Sequence, residues 1–270
     1  MLTNLKHELV IIEVRGPDSR KFLQGQLTND IHQLDTENKQ NFQFSAHLNN
    51  KGRILASFIV IKPNADTYYL ITPKVICDKI IPRLKMFVLR SKVEFSIPDL
   101  YPIFSNAPLL ADLQIAFKDK YFISIFEKVP DGVYYDLSPW KKFLVDFGYP
   151  LIYTQTYEIF TPQQVNYDLL DGVNFKKGCY TGQEIVARTH YLGKVKRRMY
   201  RFSCVQEVVI GQVVFSPKMN NQEVGVIVEM IEQNGGYIGL VSLQNDCSYE
   251  AFLDIANTQP LVIQPLEYSK

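Results

Sequence analysis

The hydrophobic and polar positions along the chain predict strands mixed with helices in the first two thirds and strands alone thereafter. Short β-branched and aromatic runs bounded by turn residues are typical of strands, and they occur at residues 9–14, 53–61, 67–71, 93–97 and 121–126. Their irregular spacing does not fit a regular series of parallel strand–helix–strand units. The pattern therefore predicts an α+β fold.

Two helices are predicted between these strands. The first opens at the GPD sequence of residues 16–18, with proline at the first helical position, and apolar residues four apart give it a core face. These residues are Leu23, Leu27 and Ile31. A second helical stretch begins at Lys74, and Pro82 is expected to kink or end it because proline lacks a backbone N–H.

The pattern of hydrophobic positions changes near residue 195. Downstream, short apolar runs alternate with turn residues, and Asn234-Gly235 is a strong hairpin signal between two of them. We therefore expect residues 1–195 to form α+β subdomains and residues 196–270 to form a small closed β-barrel.

The composition excludes several classes of protein. The chain has 270 residues, of which 46% are hydrophobic and 21% charged, and its formal net charge is +1. This balance argues against a nucleic-acid coat protein or a broadly basic membrane binder. No apolar run reaches the roughly 18 residues of a membrane span, and the first residues lack the pattern of a secretory signal. A cytoplasmic protein is expected.

Residues 175–188, FKKGCYTGQEIVAR, form the stretch richest in candidate chemistry. Thr181 and Glu184 have the spacing of a capping box, which predicts a helix ending at Gly193. Cys179 would precede that helix, and the helix dipole together with Lys176 and Lys177 would favour its thiolate. Alternatively, the cysteine only fills a gap in a tight turn. The four cysteines contain no C-x-x-C pair, so a structural zinc site is not predicted.

Residues 138–150 predict a helix capped by Ser138 and closed by Gly148. Trp140 lies on its apolar stripe, so the indole either packs in the core or offers a flat wall to a heterocycle. Asp146 lies off the stripe, near the helix C-terminus, where the dipole disfavours an acid. It is therefore either a solvated surface group or a ligand contact.

A basic cluster follows residues 175–188. Its members are Lys194, Lys196, Arg197, Arg198 and Arg201. Such a cluster is usually a solvated face, but it could also hold phosphate groups or a polyglutamate tail.

Several of these residues resemble a known family. The string Lys177 to Glu184 (KGCYTGQE), with Arg188 after it, is similar to the signature of the YgfZ family of folate-binding proteins. The similarity extends to residues 22–30, 51–53, 140–150 and 160–163, in the same order as in the family. The family is related to the glycine-cleavage T-protein, a tetrahydrofolate-dependent aminomethyltransferase. The resemblance therefore implies a T-protein-like fold around a folate site, closed by the C-terminal barrel.

The resemblance also implies roles for individual residues. Cys179 would be a redox-active or cluster-contacting thiolate, and Asp146 falls where T-proteins place a pterin-contacting glutamate. The remaining candidates for contact with tetrahydrofolate are Trp140, Gln183, Glu184, Arg188 and Arg198.

The sequence departs from its relatives at two places. Ala56 and Ser57 replace the acidic residues of T-proteins, which argues against aminomethyl transfer. Leu9 matches the position of a second tryptophan in some YgfZ relatives, so any stacking there is lost.

The leading hypothesis is a tetrahydrofolate-binding accessory protein that supports iron–sulfur enzymes, including those that modify tRNA. Its expected partners are iron–sulfur enzymes or cluster-assembly proteins, with no membrane and no direct nucleic-acid contact. A permanently bound metal is not expected, because an iron–sulfur cluster usually needs about four ligands. The alternatives are a folate-dependent one-carbon transferase and a non-enzymatic RNA-binding module that uses the basic cluster.

Overall fold

The computed structural model describes residues 1–35, 42–118 and 120–268, which form two compact units. The first unit contains residues 1–48, 55–140 and 171–181, and the second contains residues 49–54, 141–170 and 182–270. Each unit is therefore assembled from segments that are distant in the sequence.

Two antiparallel sheets build most of the first unit. Their strands are β1 Leu2–Asn4, β2 Leu9–Arg15, β3 Phe42–Leu48, β4 Ile54–Asn64, β5 Thr67–Pro73, β6 Glu94–Ser96, β7 Tyr101–Ser105, β8 Leu113–Phe117 and β9 Tyr121–Phe126. One sheet has the order β3-β4-β5-β2-β6 and the other has the order β1-β7-β9-β8. The strands predicted at residues 9–14, 53–61, 67–71, 93–97 and 121–126 are confirmed as β2, β4, β5, β6 and β9.

Two helices accompany these sheets, and both differ from the sequence prediction. Helix α1 spans Ser19–Gln26, so Pro17 lies before it, and Leu27 and Ile31 lie beyond its end although both are fully buried. Helix α2 spans Cys77–Lys85 and contains Pro82 without ending there. A proline in the second turn removes only one helical hydrogen bond, which the packing of the buried Ile80 and Leu84 offsets.

The predicted C-terminal barrel is confirmed as a closed barrel in the second unit. Its strands are β10 Arg197–Cys204, β11 Val213–Ser216, β12 Gln222–Gln233, β13 Gly236–Gln244, β14 Ala251–Phe252 and β15 Pro260–Gln264. They close in the order β10-β13-β12-β11-β14-β15 around a core that includes Phe202, Ile227 and Val241. Asn234 and Gly235 both have positive φ, at 53° and 76°, as a two-residue hairpin turn requires.

Two further α-helices lie in the described part of the chain. Helix α3, Ser138–Phe147, begins in the first unit and continues into the second, and helix α4 spans Gln183–Leu192 in the second unit. Gly148 follows α3 with a φ of +70°, which confirms the predicted stop. None of the described helices is long and apolar enough to cross a membrane.

Candidate functional site

The loop that precedes Cys179 is fixed by its own backbone and by the segment after α1. The Asn174 side chain accepts hydrogen bonds from the backbone N–H of Lys176 (2.8 Å) and Lys177 (3.0 Å). The N–H of Asn174 donates to the carbonyl of Thr28 at 3.0 Å. This local turn directs the Lys177 side chain towards the C-terminal end of α1.

The Lys177 ammonium makes the central hydrogen bonds of this loop. It donates to three backbone carbonyls, those of Gln24 (2.8 Å), Leu27 (2.7 Å) and Asn29 (2.7 Å). Helix α1 ends at Gln26, so the carbonyls of its last turn lack helical partners, and a cation at this end also complements the helix dipole. Lys177 is 8% exposed. Burial lowers its pKa to about 8, and Asp30 opposes this shift, so the ammonium is mostly charged at neutral pH.

This geometry corrects one sequence prediction. The sequence places Lys177 beside Cys179, where it would favour the thiolate. In the structure, its ammonium instead donates hydrogen bonds to the carbonyls of Gln24, Leu27 and Asn29. The orientation follows from three strong acceptors converging within reach of a single ammonium, which has three donors. Lys177 therefore acts on Cys179 by fixing the loop.

The segment after α1 is tied to the same loop by side chains. Thr28 Oγ1 donates to the carbonyl of Gly172 at 2.6 Å, and Asn29 Nδ2 donates to the carbonyls of Asp171 (2.7 Å) and Phe44 (2.9 Å). Two stretches almost 150 residues apart in the sequence thus form one hydrogen-bonded block.

Cys179 lies at the exposed end of this block. Its side chain is exposed, whereas Cys77 and Cys247 are buried and Cys204 is half-buried. The next residue, Tyr180, is 7% exposed and its ring centre lies 5.2 Å from Lys177 Nζ. Burial raises the pKa of the Tyr180 phenol and also the pKa of the Cys77 and Cys204 thiols. Cys179 is therefore the accessible thiol among the four.

The predicted capping box of Thr181 and Glu184 is wrong. Helix α4 begins at Gln183, its N-cap is Gly182 with a φ of +81°, and no side chain makes a capping hydrogen bond. A glycine adopts this left-handed conformation without a steric penalty, so it displaces the threonine from the cap position. The predicted end of the helix is confirmed, because Gly193 is the C-cap.

The residues predicted on α4 are accessible to solvent. Glu184 and Arg188 are exposed and Gln183 is half-buried. Their predicted contact with a folate stays a prediction.

Trp140 is fully buried at the start of α3. Its exposure is 0%, and its ring lies edge-on to Phe104, with 5.3 Å between the ring centres. An indole without an exposed face packs in the core in this conformation, which favours the packing alternative over a wall for a ligand. Leu9, which the resemblance matches to a second tryptophan of some relatives, is likewise buried in β2, at 2% exposure.

Asp146 is held between two cations in the second unit. Its Oδ2 accepts from Lys142 Nζ one helical turn earlier (2.8 Å), and its Oδ1 pairs with Arg201 Nη2 on β10 (3.0 Å). These two partners explain how an acid is tolerated near the C-terminus of a helix. The side chain is still 32% exposed, so part of the carboxylate remains accessible.

Arg198 forms an ion pair with a residue that the sequence did not reveal as its partner. Its Nη1 and Nη2 bind both carboxylate oxygens of Asp168, at 2.6 and 3.0 Å, and Nη1 also donates to the carbonyl of Gln163. Holding a glutamate tail would require breaking this bidentate pair. Asp168 lies 30 residues earlier in the chain, and no local pattern indicates the pairing.

The positions that the resemblance matches to the T-protein acids carry no charge here. Ala56 and Ser57 lie on β4 and are both fully buried. Among residues 1–35, 42–118 and 120–268, no group of three or more His, Cys, Asp or Glu side chains could hold a metal ion.

Comparisons with known proteins agree with the signature. No family model matches the chain. It is 30% identical to the tRNA-modifying protein YgfZ of Blochmanniella pennsylvanica, over 93% of this chain and 89% of the relative. It is 26% identical to the protein of the same name from Sodalis glossinidius, over 96% of this chain and 90% of the relative.

A solved structure shows the same fold. The glycine cleavage system aminomethyltransferase T from Bartonella henselae matches with a TM-score of 0.73 and 14% identity, over 98% of this chain and 84% of the other. At this level of identity the match establishes the T-protein-like fold that the sequence predicted.

Proposed function

Because the chain belongs to the YgfZ family, we propose that it binds tetrahydrofolate in the cytoplasm and supports the assembly or repair of iron–sulfur clusters. The observation that carries the iron–sulfur part of the proposal is the exposed thiol of Cys179 on a loop anchored by the buried Lys177 ammonium. Positioning a reactive group on a rigid support is what thiol chemistry with a partner protein requires. If the supported enzymes include iron–sulfur enzymes that modify tRNA, this role would account for the name of the relatives, tRNA-modifying protein YgfZ.

Asp146 is the residue best suited to hold the folate. A carboxylate has about four lone-pair sites, and Lys142 and Arg201 use only two of them. The remaining sites can accept hydrogen bonds from the amino-pyrimidine edge of a pterin, and the two cations hold the carboxylate in position. A bound tetrahydrofolate would supply reduced pterin or one-carbon chemistry.

Aminomethyl transfer is not part of the proposal. That reaction needs a charged group near the folate nitrogen, and neither Ala56 nor Ser57 can carry a charge at neutral pH. The fold is therefore proposed to serve binding and protein contact.

Cys179 would act through a transient contact. One thiolate supplies one of the roughly four ligands that a cluster needs, so the cluster is the cargo of partner proteins. Those partners are iron–sulfur enzymes or assembly factors that present the other ligands.

The test is complementation of a strain that lacks its own YgfZ protein. Cys179→Ser keeps the approximate size of the side chain but removes the thiol, so the activity of iron–sulfur enzymes should fall to the level of the empty strain. The half-buried Cys204 offers a matched control, and Cys204→Ser should retain most of that activity. Full complementation by Cys179→Ser, with both variants equally abundant, would show that the thiol is dispensable and would overturn the proposal.

A further inference from the structure

Residues 74–92 of the first unit combine a surplus of positive charge with exposed apolar side chains. This α2 segment contains the 3-10 turn Lys74–Ile76, helix α2 and the turns that follow it. Its only acid is Asp78, and its six basic residues are Lys74, Lys79, Arg83, Lys85, Arg90 and Lys92. The whole chain has a net charge of only +1, so the surplus is local.

Apolar and basic side chains share the solvent-facing side of the α2 segment. Exposed positions recur at intervals of three or four residues after Val75, which places them on one face of a helix. These positions include Lys79, Pro82 and Met86. The opposite face packs into the core through Cys77, Ile80 and Leu84. Val75 and Met86 are 61% and 65% exposed, so the outer face presents aliphatic side chains among cations.

Leu89 is the most exposed apolar residue of the segment, at 88%. It follows α2 with a φ of +47°, a left-handed conformation that crowds the Cβ of a leucine and costs a glycine nothing. Of the nine described residues other than glycine with positive φ, Leu89 is the only apolar one. The fold therefore keeps an aliphatic side chain in solvent at a position that favours glycine, which indicates a use for that side chain.

The turn that carries Leu89 is anchored on both sides. Before it, the half-buried Phe87 ring lies under the Arg83 guanidinium, with 5.1 Å between Cζ and the ring centre. After it, the backbone N–H of Lys92 donates to Oδ2 of Asp18 at 2.7 Å. Leu89 thus projects from a fixed support.

Several cations around Leu89 lack a counter-charge. Within the described part of the chain, no carboxylate lies within ion-pair distance of Lys85, Arg90 or Lys92. Lys21 of α1 lines an open groove of about 690 Å³ together with Asp18 and residues 87–91. The cations therefore surround the exposed leucine and would attract an anionic surface.

We propose that the α2 segment and Lys21 bind the surface of a membrane that contains anionic lipids. The cations complement the lipid headgroups, and Leu89 and Met86 insert at the boundary of the acyl chains. Basic segments with exposed apolar residues are typical of such surfaces. The expectation of no membrane partner rests on the net charge of the whole chain, which does not reveal a local surplus.

The chemistry of the segment favours a lipid surface over RNA and over a second copy of the chain. RNA-binding proteins stack unpaired bases on aromatic side chains, and the only aromatic residue of the segment, Phe87, is half-buried. Two copies that met through this face would bring like charges together. The surface uses neither Asp146 nor Cys179, so it stands or falls separately from the proposed folate and iron–sulfur roles.

The experiment is co-sedimentation of the full chain with vesicles of phosphatidylcholine and phosphatidylglycerol in equal parts. We expect binding that falls with added salt and is absent with pure phosphatidylcholine. Leu89→Gly should weaken binding about tenfold, because it removes the inserted side chain, and Arg90→Gln about fivefold. Leu110→Gly is the matched control, since Leu110 is a fully exposed leucine of the same unit without a basic residue nearby in the chain. Its binding should be unchanged.

Thermal melting separates loss of binding from loss of folding. Leu89→Gly relieves the crowded backbone, so it should melt at the same temperature as the unmodified chain or above it. A lower melting temperature would assign Leu89 a structural role and overturn the proposal.

Three other results would also overturn it. They are no binding of the unmodified chain to the anionic vesicles, equal binding to both kinds of vesicle, and equal effects of Leu89→Gly and Leu110→Gly. Tighter binding of a single-stranded RNA oligonucleotide than of the vesicles would assign the surface to nucleic acid instead. Self-association that Leu89→Gly abolishes would assign it to a second copy.

Discussion

Lys177 in the first unit and Arg198 in the second are basic residues that the protein engages internally, but with opposite kinds of partner. Lys177 is surrounded by three neutral carbonyls, and Arg198 faces the carboxylate of Asp168. Carbonyl dipoles orient a cation but do not neutralise its charge, whereas a carboxylate orients the cation and also neutralises it. Lys177 therefore depends on every one of its acceptors, while Arg198 depends mainly on one residue.

The largest effect is expected from removing Lys177, whose three hydrogen bonds all go to neutral carbonyls. Lys177→Met would leave three carbonyls without their donor, so the free energy of unfolding should fall by about 3–5 kcal/mol. Lys176→Met is the matched control, since Lys176 is exposed, and it should change stability by less than about 0.5 kcal/mol. Urea unfolding of both variants checks this, and equal losses would show that Lys177 is not the anchor of the loop.

His47 shows what happens where a buried cation would have too few acceptors. His47 is fully buried on β3, its Nδ1 lies 2.9 Å from the carbonyl of Gln26, and its Nε2 has no hydrogen-bond partner among the residues that the structure describes. Burial, with a contribution from Arg83, lowers the pKa of His47 to about 4, and the bond to Gln26 opposes this shift.

The consequence is a loss of stability in mild acid. The unfolded chain binds this proton near pH 6.5 and the folded chain only near pH 4, so stability is intact above 6.5 and falls as the pH drops between these values. The expected loss is up to about 3 kcal/mol. Urea unfolding between pH 7 and 4 should give a flatter profile for His47→Gln, which does not titrate. Parallel profiles would contradict the assignment.

The smallest of these effects is expected at Arg198. Asp168→Asn and Arg198→Gln should each cost about 2 kcal/mol, because the pair is bidentate but partly exposed, at 10% and 24% for the two side chains. A double-mutant cycle should show a coupling of about 1–2 kcal/mol, since the second change removes a partner that is already unpaired. Additive losses would mean that the two side chains act separately.

Local patterns predicted much of the fold. Runs of β-branched residues identified β2, β4 and β5, and Asn234-Gly235 identified the hairpin between β12 and β13. These elements depend on neighbouring residues and on one apolar face, which a single sequence displays directly.

Contacts between distant residues could not be predicted in the same way. Strand β1 has three residues and pairs with β7 about 100 residues later. The partner of Arg198 and the carbonyl acceptors of Lys177 are backbone or side-chain groups that no spacing rule links to them. For the same reason, the sequence indicated Cys179 as a candidate but did not reveal that the Lys177 ammonium binds backbone carbonyls.

The central claim is that the protein binds tetrahydrofolate through Asp146, and anaerobic titration with tetrahydrofolate tests it directly. Trp140 is the only tryptophan and lies on the helix that carries Asp146, so its fluorescence reports on binding there, with calorimetry as the check. We expect saturable binding that is lost in Asp146→Asn and retained in Asp112→Asn, an exposed acid in the other unit. Absence of binding by both methods, or equal binding by all three proteins, would contradict the claim.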